Sequence, residues 1–465
     1  MAYTGRTKIT TAVSEITEDN LLEVLSEAVA THNKNVSEMD YLYNYYTGQT
    51  PIQQRTKEVR PEICAKKNIN TAYSIVNFKT GYIVGDPIQY VSLDEAGAEV
   101  VSVLNSCMRQ ECKPSKDKEL FDFMHIFGTA YRAVFPKAAV PDDDVPYDIY
   151  TIDPRQAFVI YSSRIDGSPM AGVYYVVNTK KERIYSIYTQ NAYYEVCNNK
   201  IVQSASVYIN MIPIIEYPAN TARLGAFEPV LDLLDAKEEL LCDQLDSVSQ
   251  FVQSLMVITN AELPEGVDSN YLRDRGLVQI TSTEGQPAKV ELLSQELNQT
   301  QTQELVSYVD EKILEIVGMP GRNGTSSGDN GIAVIYRDGF TDAETRAKAS
   351  EMLFKQSEFQ MLRLIAKYFP SLGLSVKNID CSFTRKLYDN LLTKAQVLTM
   401  MLSNDKIAPQ LAFQMCSMFP DAEAAWKVSK EYYEKQQEVL TERLSIDDLT
   451  DTESAGEEPQ TDDEL

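Results

Sequence analysis

The stretch from Glu228 to Phe340 constrains this 465-residue chain more than any other. It reads as a helix over 228–257, an excursion over 258–298, a second helix over 299–317 and a glycine-rich loop over 318–340. In the first helix Leu234, Leu241, Leu245, Val248, Val252 and Leu255 recur at steps of three, four and seven residues, which predicts one apolar face. Leu305, Val309, Ile313 and Ile316 predict a matching face on the second, with Gly318 placed to stop it. Two helices that leave a body and return to it describe a stalk. The excursion carries apolar runs broken by Gly266, Gly276 and Gly285, so it is expected to be a small β module at the far end.

The stalk is acidic. Glu228, Asp232, Asp235, Glu238, Glu239, Asp243 and Asp246 stand against Lys237 on the first helix, net −6. Glu304, Asp310, Glu311 and Glu315 stand against Lys312 on the second, net −3. In the loop Arg322 and Arg337 balance Asp329 and Asp338, and Asn323, Gly324, Thr325, Ser326 and Ser327 are neutral and polar. The whole chain carries −25; nine acidic and no basic residues lie in 446–465, an expected disordered tail, so the remainder carries −16. Such a body is unsuited to gripping nucleic acid by phosphate neutralisation, though it could let nucleic acid slide past.

Around the stalk the pattern is mixed. A helix is expected over 18–46, with Leu21, Leu22, Leu25, Val29 and His32 on one side and a tyrosine cluster at its end; His32 is read as a packing residue. Asn68 or Asn70 should cap a second helix whose face is Ile69, Tyr73, Val76 and Thr80. Helices over 98–113 and 115–130 lead into a strand, and from Tyr147 to Ile215 a period-two pattern predicts a mostly antiparallel, tyrosine-rich sheet. A long helix, capped by Thr341 or Asp342 and ended by Pro370, is followed by a strand and by two or three helices over 387–445. The fold class is α+β.

Chemistry is sparse. There is no G-x-x-x-x-G-K-[ST], and the two histidines stand about ninety residues apart. Seven cysteines form no C-x-x-C pair and read as free thiols. The run Asp142–Asp143–Asp144 sits between prolines and reads as a solvated turn. No catalytic residue, metal or cofactor is expected. No apolar run is long enough to span a membrane and the N-terminus lacks a secretory core, so a cytosolic product is expected.

Three segments resemble a known family, the portal proteins of tailed bacteriophages, in the type found in long non-contractile-tailed phages of Gram-positive bacteria. The first is Tyr45–Tyr46–x–Gly48 with Pro51–Ile52. The second is Thr80–Gly81–Tyr82–Ile83–Val84–Gly85–Asp86–Pro87–Ile88. The third is Gly318–Met319–Pro320, the glycine/serine loop and Gly331–Ile332–Ala333–Val334–Ile335–Tyr336. The resemblance spans 38–445 and departs at Asn330–Gly331, where Ser-Gly is commoner, and in the excursion. It implies a ring of about twelve copies at one capsid vertex, through whose axial channel double-stranded DNA passes. Terminase large subunit, a head–tail connector, and major capsid and scaffolding proteins would dock on it. The parts would be a wing (1–227 and 341–385), a stem (228–257 and 299–317), a clip (258–298), a tunnel loop (318–340) and a crown (386–445). Asp232, Asp235, Glu239, Asp243, Asp246, Glu304, Glu311 and Glu315 would form an acidic channel wall, repelling phosphates within a Debye length of about 8–10 Å. Arg322, Asn323, Gly324, Thr325, Ser326, Ser327 and Arg337 would touch DNA. A tail or neck ring protein is one alternative, but it has less need of two long acidic helices. A metal-dependent DNA-processing enzyme is another; the lack of a P-loop and of clustered acid/His ligands argues against it.

Overall fold

The computed structural model describes residues 5–453 except 59, 95–96, 139–143, 253–254, 260, 263–280, 283–288, 294–298, 322–338, 386–390, 405, 417 and 420–421; side chains are also left undescribed in 250–299, 391–393 and 439–453.

The N-terminal half is a helical layer over two sheets. Helix α1 (Leu21–Tyr46) lies on a six-stranded sheet in the order β1 (Thr10–Thr11), β5 (Ala157–Ser162), β6 (Pro169–Val177), β7 (Arg183–Thr189), β8 (Ala192–Cys197), β9 (Lys200–Ser206). The period-two region therefore does not make one sheet. Strand β4 (Tyr147–Ile152) and strand β10 (Ile214–Pro218) instead flank β3 (Thr129–Pro136), all antiparallel. The α1 face that meets the sheet is Leu21, Val24, Leu25 and Ala28, packed with Phe158, Val173 and Ile187. Leu22 and Val29 are only partly buried, because the contact stripe runs one position off the expected one. His32 is buried as expected, its ring 4.5 Å from that of Phe158 and its Nε2 3.2 Å from the Arg155 carbonyl.

Asn70 caps helix α2 (Thr71–Val84), its side chain accepting from the Tyr73 N–H at 3.0 Å. The buried face is Ala72, Ile75, Val76, Thr80 and Ile83, whereas Ile69 and Tyr73 are exposed. Helices α3 (Ala98–Gln110) and α4 (Lys113–Phe127) follow, and α4 runs into β3 through Gly128. Helix α5 (Leu231–Val252) and helix α6 (Gln299–Val317) are the expected stalk. Leu255 is not helical: it opens β11 (Leu255–Thr259), which pairs antiparallel with β14 (Lys289–Leu293). β12 (Ala261–Glu262) pairs with β13 (Thr281–Ser282).

Helix α7 (Phe340–Tyr368) begins after Gly339, at φ +81°, and not at Thr341 or Asp342. It buries Phe354, Met361, Leu362 and Ile365 in the main core with Phe121, Tyr147 and Tyr217. Strand β15 (Ile379–Ser382) pairs with β2 (Gln89–Ser92), tying the two ends of this body together. Helices α8 (Leu391–Leu402), α9 (Pro409–Cys416) and α10 (Ala422–Glu453) close the chain, with the Phe413 and Trp426 rings 5.7 Å apart. Helix α10 continues to Glu453, past the point where disorder was expected to begin; 454–465 lie outside the described residues.

Candidate functional site

Helix α5 turns a polar stripe inward. Glu238, Cys242 and Asp246 are four residues apart, so they align on one face. The segment 50–69 runs along that face as a strap. Glu238 accepts from the Thr50 hydroxyl at 2.7 Å and the Ile69 N–H at 3.1 Å. The Cys242 Sγ meets the Lys67 N–H at 3.3 Å. Asp246 accepts from the Ala65 N–H at 2.6 Å and pairs with Lys57 at 2.6 Å and Arg55 at 3.2 Å. One turn nearer the body the Tyr45 hydroxyl donates to Asp235 at 2.8 Å, and Arg6 pairs with Glu228 at 2.6 Å.

Environment splits these carboxylates. Burial raises the pKa of Glu228, Asp235 and Glu238 despite their bonds. For Asp246 burial pulls the same way, but the Lys57 bond, the Ala65 N–H and the nearby Arg55 charge outweigh it and hold the group below its ordinary value.

Of the eight expected wall carboxylates, Asp232, Glu239, Asp243, Glu304, Glu311 and Glu315 are exposed; Asp235 is partly buried and Asp246 buried. Asp243 is paired with Arg55, and Glu315 with Lys312 at 2.6 Å. Lys237 bridges to Asp310 at 2.5 Å and ties α5 to α6. The strap thus lays two cations, Arg55 and Lys57, on a face that sequence counting treats as purely acidic. Nothing local in residues 50–69 signals this, since their partners lie on a helix nearly two hundred residues away.

The apolar stripes are only half covered. Val309, Ile313 and Val317 pack with Leu231, Leu234, Phe227 and α1–α2 side chains. Further out, Leu245 is 46% exposed, Val248 44%, Leu305 46% and Tyr308 58%.

The loop at 318–340 has a built root. Gly318 sits at φ +72°, its N–H on the Leu314 carbonyl at 2.8 Å, and the Met319 N–H takes the same carbonyl at 2.9 Å. This closes α6 in a Schellman turn. Arg346, which sequence reading did not single out, donates to the Ile316 carbonyl at 2.5 Å and, alongside the Gly318 N–H, to the Glu315 carbonyl at 3.1 Å, clasping the last turn of the helix. A Cβ on Gly318 would lie 2.5 Å from Arg346 Cδ, so this glycine serves both the turn and the clasp. A Cβ on Gly339 would lie 3.7 Å from the Pro320 Cα, so the flanks of 321–338 start and end side by side. The expected DNA-contacting residues Arg322, Asn323, Gly324, Thr325, Ser326, Ser327 and Arg337 lie outside the described residues.

Residues 26–442 match the family described as "Phage portal protein, SPP1 Gp6-like". The chain belongs to this phage portal protein family. No curated protein matches the sequence. Among solved structures, the portal chain is similar to a chain of the virion of a native gene transfer agent particle (12% identity, 83% of this chain and 94% of that one, TM-score 0.45). It is also similar to a chain of the neck of a native gene transfer agent particle computed with C12 symmetry (12%, 75% and 90%, TM-score 0.44).

In this portal chain the long helix α7 is anchored by a cluster of buried ions. Glu358 meets Lys113 at 2.8 Å and Arg132 at 3.4 Å, and accepts from the hydroxyls of Tyr217, at 2.8 Å, and Tyr90. Asp117 completes the set, 2.6 Å from Arg132 and 2.7 Å from Lys113. Two cations and two anions leave the cluster neutral. Burial opposes the charge on Glu358, but Lys113 and Arg132 outweigh it and lower its pKa. Nearer the loop, Arg385 holds Glu344 at 2.8 Å and also pairs with Glu351. Among the described residues no cluster of His, Cys, Asp or Glu could hold a metal ion, and no helix is long and apolar enough to cross a membrane.

Proposed function

We propose that the chain assembles into a closed ring of about twelve copies at one capsid vertex and forms the channel for double-stranded DNA entry and exit. The observation that carries this, beside family membership, is the stem's outer half. There Leu245, Val248, Leu305 and Tyr308 lie in water on a single chain. Covering apolar surface is worth roughly 25 cal/mol per Å², so stems gain by standing against neighbouring copies. The outward carboxylates Asp232, Glu239, Glu304 and Glu311 take no ion pair among the described residues. Facing an axial channel, they would repel phosphate and let DNA slide.

In this reading 1–227 and 341–385 are the wing, 228–257 and 299–317 the stem, 258–298 the clip, 318–340 the tunnel loop and 386–445 the crown. Arg322 and Arg337, with the neutral polar residues between them, make transient phosphate contacts without sequence preference. Terminase large subunit and then a head–tail connector dock on the clip, and capsid and scaffolding proteins on wing and crown. The mature protein resides in the virion, and its role is structural rather than catalytic. Negative-stain microscopy of the purified chain tests the reading: closed rings with a central hole are expected, and filaments or a monomer at all concentrations would overturn it.

A further inference from the structure

Where α2, the end of α6 and the first turns of α7 meet, the fold leaves a cleft of about 210 Å³. Phe78, Met124 and Ile316 give it apolar walls, and two cations stand in it, Lys79 from α2 and Arg346 from α7. None of its described lining residues is a carboxylate. Among the described residues Lys79 makes no ion pair and no hydrogen bond. Arg346 spends three of its five N–H groups on the Ile316 and Glu315 carbonyls and on Asp342, which leaves two. Burial and the neighbouring Arg346 push Lys79 down to about 8, with Asp342 partly opposing them. His125, also at the cleft, is held neutral, burial pushing it down to about 3. A largely buried ammonium beside a guanidinium, with apolar walls and only Asp342, itself paired with Arg346, as a counter-charge among the described residues, is a costly arrangement unless an anion completes it.

We propose that this cleft binds a small oxyanion of the phosphate class, held between Lys79 and Arg346. Size selects the class. The volume falls below the ~300 Å³ at which sites for drug-sized ligands begin. That suits one phosphate. The bound anion bridges α2 to α7 directly beside Gly318, and so stiffens the root of the loop. The site lies within one chain and does not depend on the ring.

Thermal unfolding of the full chain in inorganic phosphate, against sodium chloride at matched ionic strength, tests it. The expected result is a saturable rise in Tm with phosphate, and phosphate binding weakened at least about tenfold in Lys79→Met. Lys79→Arg should retain the phosphate response. A second readout serves if Lys79→Met fails to fold. In the ¹³C-dimethylated full chain, the Lys79 signal should titrate near pH 8 and move upward when phosphate is added. No phosphate-specific rise, an equal rise in wild type and Lys79→Met (an adventitious ion only), or a Lys79 midpoint indifferent to phosphate would overturn the proposal. A midpoint that falls to the phosphate-free level only in Asp329→Asn or Asp338→Asn would also overturn it, since the counter-charge would then be the chain's own.

Discussion

The core around Glu358 and the face of α5 use the same side chains to opposite ends. In the core Lys113, Asp117, Arg132 and Glu358 are almost wholly buried and mutually neutral, and they fasten α4, β3 and α7 into one piece. On α5 the strap answers Glu238, Asp246 and the exposed Asp243, and Tyr45 answers Asp235, while Asp232 and Glu239 take no ion pair among the described residues. A buried charge must be answered within the chain, because desolvation is expensive; an exposed one need not be, because solvent screens it. The charges of the core are thus answered within the chain, and those of α5 only in part.

The comparison breaks most sharply at Glu358. Glu358→Ala strands Lys113 and Arg132 with only Asp117, and should lower the unfolding free energy by about 3–5 kcal/mol. Urea denaturation measures it, and a loss below about 1 kcal/mol would mean that the cluster does not hold α7. Next comes the loop root. Gly318→Ala forces a side chain into the left-handed region, at about 1–2 kcal/mol, and displaces the Arg346 clasp. Thermal unfolding should show the loss, and Gly321→Ala, with open space around it, should not.

The strap offers a finer test through pH. Asp246→Asn should cost about 1 kcal/mol near neutrality. Because the folded pKa of Asp246 is lowered, its contribution is present above the ordinary Asp value and fades as pH falls through the folded one. The gap between wild type and variant should therefore close on acidification. Glu238 runs the other way: its folded pKa is raised, so its contribution is full below the ordinary Glu value and is lost as pH rises through the folded one. Wild type minus Glu238→Gln should accordingly decline towards neutral pH. Two groups on one helix face that moved with pH in the same direction would refute this account of the strap.

Smallest in stability are the outward residues. Combined Asp232→Asn, Glu239→Gln, Glu304→Gln and Glu311→Gln should change folding by no more than about 0.5 kcal/mol per site. Assembled rings should nevertheless retain DNA more strongly at low salt, and an unchanged salt dependence of retention would remove those residues from the channel wall.

Much of the fold was legible because it is local. The Asn70 cap, the Gly318 stop, the helical periods of the two stem helices and the period-two strands depend on neighbours a few residues away. So do the three segments that carry the family resemblance. Element ends were less legible. Leu255 continues a helical stripe in sequence yet opens a strand, since β-branched Val257, Ile258 and Thr259 pair across to β14.

The sequence by itself determined the order of elements, the acidic stem and the neutral composition of the loop. The tertiary structure alone decided which carboxylates turn inward and what meets them. Thr50 reaches Glu238 across 188 residues, Tyr90 reaches Glu358 across 268, and Arg346 reaches Ile316 in the last turn of α6 across 30. A helical period assigns residues to faces, but the face that becomes interior depends on which distant segment lies against it. On α5 that segment is a polar strap, so the helix buries acid where periodicity alone would bury leucine.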